Sequence, residues 1–161
     1  MLQAAIHVNR FLVSFGQRLV GEIPDERMTE QPLPAVNHPA WILGHLALTA
    51  DGVGATFGGQ STLPAEWSTL LGQGSKPSSV RSNYPSKRDL LRAFEECHQR
   101  LRDQVAAAGP EVLSQPTTNP RAREAFPTLK ELAAFILTGH VGVHLGQLSS
   151  WRRMIGLPPT F

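Results

Sequence analysis

Cysteine is nearly absent from the chain. Cys97 stands alone, so no internal disulfide can form and a CxxC-type metal or redox site is excluded. A lone thiol suits a reducing compartment. An excess of charge of one sign is also missing: 15 Lys and Arg against 13 Asp and Glu leave a formal charge of +2. The densest basic spots are Arg152-Arg153 and the pair Arg121 and Arg123. Neither is long enough to track a phosphate backbone, so no nucleic-acid partner is expected. Long hydrophobic runs are lacking too. No apolar run approaches the roughly 18–20 residues that cross a bilayer, and Asn9-Arg10 interrupt the apolar N-terminus before a signal-peptide pattern develops. A cytoplasmic protein without a membrane partner is the expectation. Strand pairs of useful length and internal repeats are likewise absent.

What is present is helical patterning. Hydrophobic residues make up 41% of the 161 residues, enough for one domain, 1–161, with a substantial core. Apolar residues at three- and four-residue spacings predict a first helix from about Leu2 to Gly21. A second is expected from about His38 to Thr56, with Asn37 as its cap and Pro39 in its first turn. Gly58 to Pro85 reads as loop, with a short helical turn around Leu63, Trp67, Leu70 and Leu71. Ser86 with Asp89 opens a third helix that closes at Gly109-Pro110. After a loop from Pro110 to Pro127, Thr128 and Glu131 form a capping box for a fourth helix that ends at Gly156. The fold class is therefore expected to be all-α, a four-helix bundle with long inter-helix connections.

The stretch TGHVGVHLGQL, Thr138 to Leu148, carries the strongest chemical signal. His140 and His144 lie one helical turn apart on the same face. Two imidazoles so placed can supply adjacent corners of a divalent ion's coordination shell. A bundle site needs a further ligand from a facing helix, and His45, embedded in WILGHLALTA, is the best candidate. The alternative is three core histidines. The pattern is not that of zinc proteases, because Val141 stands where they need glutamate. Gln147, three residues after His144, can hydrogen-bond a ligand or substrate. Trp41 and Trp151 are expected mainly in the core, with a pocket wall as the other reading. Asp51 is expected at a solvated position, with a carboxylate supporting the metal ligands as the other reading. Cys97 reads as a small buried apolar residue, His7 and His98 as surface histidines, and His38 as peripheral to the site. Gly142 and Gly146, four apart, together with Gly44, suggest close approach of another helix.

These segments, WILGHLA and TLKELAAFILTGHVGVHLGQLSSWRRMIGLPP, resemble the DinB/YfiT-like metal-dependent superfamily over nearly the whole chain. The resemblance implies an up-down arrangement of four helices, a homodimer, and a zinc or nickel ion on His45, His140 and His144. One position departs from the family pattern: Leu145 stands where relatives often carry arginine, so that arginine's role does not transfer. Characterised relatives include transferases and isomerases that use low-molecular-weight thiols. The resemblance thus implies a metal-dependent thiol S-transferase acting on a small-molecule electrophile. A metal-dependent hydrolase and a non-catalytic, metal-stabilised dimeric binding module are the alternatives.

Overall fold

The computed structural model describes residues 2–160, which are helical and contain no strand. Four long helical segments carry the architecture: α1 (Leu2–Val20), α2 (Pro39–Ala55), α4 (Lys87–Ala107) and a final run made of α7 (Leu129–Phe135), a π-helical turn (Ile136–His140) and α8 (Val141–Met154). Between α2 and α4 lies the short α3 (Glu66–Leu71), at the expected place. The stretch from Pro110 to Pro127, expected as loop, holds two further short helices, α5 (Pro110–Leu113) and α6 (Pro120–Ala125). Both open with proline, whose missing N–H costs nothing in a first turn.

The helix ends follow local chemistry. Ser86 Oγ accepts the Asp89 N–H at the start of α4. Thr128 and Glu131 close the capping box on α7. The start of α2 differs from expectation. The cap is His38, whose Nδ1 accepts the Trp41 N–H at 3.2 Å, and not Asn37. An imidazole nitrogen two bonds from the ring's attachment reaches a backbone N–H as an asparagine oxygen would.

The core lies where α1, α2, α4 and α7–α8 face one another. α2 is apolar almost all round and buried from Pro39 to Ala47, because α4 covers one side and α3 and α8 cover others. Each fully buried Leu, Ile or Phe contributes about 1.5–3 kcal/mol. Gly44 permits the approach of α3, since a Cβ there would stand 2.6 Å from Leu71 Cδ1. Gly142 and Gly146 do not play that part. No atom lies within 4 Å of where their Cβ would be, so they face open space.

The run Leu129–Met154 is long and apolar enough, by length and composition, to cross a membrane, contrary to expectation. Its apolar residues have another use here. Leu129, Leu132, Ala133, Leu137, Val141, Leu145, Leu148 and Trp151 are all buried in the core. Arg152 is buried as well, at 1% exposure, and donates to the Leu19 and Pro158 carbonyls and to Glu22. It is therefore not part of a basic surface.

Candidate metal centre

Two elements build the site. α2 brings His45 inward, and the π turn and α8 bring His140 and His144 to face it. One ring nitrogen from each lies within 4.8 Å of the others. The ring centroids are 4.8 to 5.3 Å apart. Nitrogens about 2 Å from one tetrahedral ion lie about 3.3 Å apart, so a bound ion would draw the three rings closer together. The spacing expectation is thus met in space: the structure brings all three histidines together.

The protonation pattern is set by neighbours. His45 Nδ1 lies 2.8 Å from the Leu71 carbonyl. A carbonyl only accepts, so Nδ1 carries the proton and Nε2 keeps its lone pair. His144 Nδ1 lies 3.1 Å from Gln147 Oε1. Asn37 Nδ2 donates to the same oxygen at 3.2 Å, so Gln147 Oε1 accepts from both and His144 Nε2 is also left bare. Among the described residues, neither ring nitrogen of His140 has a hydrogen-bond partner. Outer partners of this kind orient metal-binding imidazoles and raise their basicity.

Burial favours the neutral rings. Desolvation lowers the pKa of His45, although the Leu71 carbonyl opposes the shift. Burial, followed by the fields of His144 and His45, lowers His140 to about 3. Burial and the field of His45 lower His144 to about 4. At neutral pH the cluster therefore presents three uncharged imidazoles, the form that binds a metal ion. The donor set and the two fixed tautomers fit a divalent metal ion.

Above the histidines lies a cavity of about 500 Å³. Trp41 forms one wall, its indole stacked on His45 with 4.6 Å between centroids and 7° between planes. Phe126 and Phe135, stacked at 4.3 Å, form another, and Leu48, Leu132 and Ile136 complete the apolar lining. Thr49 and Gln73 supply polar groups, and among the described residues no Asp or Glu lines the cavity.

The remaining sequence candidates divide. Gln147 and Trp41 belong to the site. Asp51 is neither solvated nor beside the histidines: it is 5% exposed and binds Ser61, Thr62 and Arg100. Burial works against its charge, yet the bonds from Ser61, Thr62 and Arg100 hold its carboxyl below the usual value. Its task is to pin the segment after α2 onto α4. Trp151 is a core residue whose Nε1 donates to the Glu30 carbonyl. Cys97 is buried, as expected, and burial pushes its thiol up to about 11 despite Arg100 Nη2 at 3.1 Å. His7 is exposed, as expected. His98 is not a surface histidine: it is wholly buried and its Nδ1 lies 2.9 Å from the Phe94 carbonyl. Its position on the apolar stripe of α4, one residue after Cys97, is the signal that sequence reasoning passed over.

A search among curated proteins finds no match to the chain. The sequence model of the DinB superfamily matches residues 17–148, a span that includes His45, His140, His144 and Gln147. With most of its length matched and its three histidines gathered at one cavity, the chain belongs to the DinB superfamily.

Proposed function

We propose that the chain is a four-helix-bundle metalloenzyme in which His45, His140 and His144 hold one zinc or nickel ion, and that it bonds the sulfur of a low-molecular-weight thiol to a small electrophile, the thiol proton passing to solvent together with any leaving group the electrophile carries. The observation that carries this reading is the convergence of three neutral imidazoles, two with fixed tautomers, at the floor of an apolar cavity. A bound divalent ion supplies Lewis acidity, lowering the pKa of a thiol or water at its open position.

The chain's own residues supply the rest. Leu71 and Gln147 hold the His45 and His144 rings in the ligating tautomer. Trp41, Phe126 and Phe135 exclude water and offer flat apolar surfaces to an uncharged substrate body. Thiol chemistry is favoured over hydrolysis by the lining. Metal-bound water and metal-bound thiol can both lose a proton to solvent, but hydrolysis must also protonate a leaving group, which calls for a general acid in reach. Among the described residues no Asp or Glu lines the cavity, Asp51 being engaged elsewhere. A thiolate bonding to an electrophile needs no such acid.

The test is metal content by mass spectrometry on untagged protein, compared with His45→Ala and His144→Ala. About one ion per chain, lost in both variants, supports the centre and leads to turnover assays with a panel of thiols and electrophiles. Metal that raises the melting temperature without turnover in any assay supports the non-catalytic binding module. No uptake in the wild type leaves three core histidines.

A further inference from the structure

The last long helix does not run as a plain α-helix. Leu129, Ala133, Leu137, Val141 and Leu145 are all buried and each lies four residues after the one before. That is sixteen residues in four turns, where 3.6 per turn takes about 14. About one residue of that surplus is absorbed in the π turn Ile136–His140, whose last residue is His140. The turn keeps α7 and α8 both facing the core and fixes the direction from which His140 enters the site.

A π turn is unfavourable and needs support. Where bonding passes from i−5 back to i−4, one carbonyl of the turn is passed over and needs another donor. Two side chains act on this turn. Thr138 Oγ1 donates to the Ala134 carbonyl at 2.6 Å. From another helix, Asn9 Nδ2 donates to the Leu137 carbonyl at 2.8 Å. Asn9 is fully buried in the middle of α1. Its Oδ1 is in turn taken by Arg102 Nη1 of α4 at 2.7 Å, and Arg102 Nη2 donates to Gln99 Oε1 at 2.6 Å. A buried amide is costly unless both of its ends are bonded, and here both are.

We propose that Asn9 is a positioning residue for the metal centre: its amide, held by Arg102, bonds the Leu137 carbonyl and so maintains the π turn that aims His140 at His45 and His144. This rests on the metal-binding reading above. The relay runs Arg102 to Asn9 to Leu137 and links three of the four long helices behind the site. Among the described residues, Asn9 does not line the cavity and its side-chain hydrogen bonds go to Leu137 and Arg102, not to a histidine.

The experiment titrates untagged, chelator-stripped protein with Zn²⁺ and Co²⁺. It compares the wild type with Asn9→Leu, Asn9→Asp and Val13→Ala. Asn9→Asp keeps a partner for Arg102 but loses the donor to Leu137. Val13→Ala removes core packing from the same helix and leaves both hydrogen bonds of the Asn9 amide in place. The expected result is a loss of Zn²⁺ affinity of about 10–100-fold in both Asn9 variants, the range typical of outer-shell changes, with a shifted Co²⁺ visible spectrum. Val13→Ala should lose stability with affinity and spectrum unchanged. Folded Asn9 variants with wild-type affinity and spectrum would overturn the inference while leaving the metal reading intact. The wild type gives a readout that needs no variant. The Asn9 side-chain amide NMR resonances should shift on Zn²⁺ uptake, and resonances that stay fixed would overturn the inference. A wild type that takes up neither ion overturns the metal reading and this inference with it.

Discussion

The indole of Trp41 lies flat against the imidazole of His45, one helical turn further along α2, with 7° between the ring planes. The same indole donates to Ser75 Oγ at 2.8 Å, so its orientation is fixed from both sides. Metal binding at His45 therefore changes the environment of one particular fluorophore. Adding Zn²⁺ to chelator-stripped protein should change tryptophan emission, and Trp41→Phe should abolish that change although Trp67 and Trp151 remain. A retained response in Trp41→Phe would place the ion elsewhere.

Gln147 is expected to matter through His144. Replacing it with leucine removes the acceptor of His144 Nδ1–H and also leaves Asn37 without its partner. Zn²⁺ affinity should fall about 10–100-fold, read by competition with a chromophoric chelator. Because Gln147 is exposed, thermal stability of the metal-free protein should change little.

Acid should weaken the metal-free fold through its buried histidines. Burial lowers His38 and His98 to about 4, against an ordinary value of 6.5. Between these values the unfolded chain binds more protons than the folded one, so stability falls as the pH falls. The stability these neutral rings preserve is complete above pH 6.5 and is lost progressively down to about 4. Urea unfolding of chelated protein at a series of pH values should show this slope, and His98→Phe should flatten it.

Two glycines should respond in opposite directions. Gly44→Ala drives a methyl into buried Leu71 and should cost about 1–3 kcal/mol. It should also weaken metal binding, because Leu71 carries the carbonyl that holds His45. Gly142→Ala meets open space and should gain up to about 1 kcal/mol of helix stability. Denaturant midpoints of the two variants check both signs.

Much of this was legible in the sequence because it is local. The capping chemistry of Ser86 and of Thr128 with Glu131 depends on residues three apart, and His140 and His144 share a face by helix geometry alone. Contacts between distant segments were not legible. His38 displaced Asn37 as cap because Asn37 is turned toward Gln147, 110 residues away. Asp51 and His98 read as polar surface residues, but the loop after α2 binds Asp51 and His98 lies on the buried face of α4. The π turn left only a faint trace, the repeated spacing of four among buried residues. Asn9, which in the sequence only interrupts the apolar N-terminus, has its partner at Leu137, 128 residues away.

The bond from His45 to Leu71 has a consequence for the long excursion between α2 and α4. Leu71 is the last residue of α3, and Asp51 with Arg100 ties the earlier part of that excursion down through Ser61 and Thr62. The segment between residues 58 and 85 thus sets which nitrogen of His45 is bare. Trimming it to a short linker, as a designer simplifying the fold would be tempted to do, would leave every histidine in the sequence and yet free one ring to turn its N–H toward the ion. Grafting the three histidines onto a plain bundle would meet the same obstacle, since the graft would have to include a stretch of chain with no ligand in it.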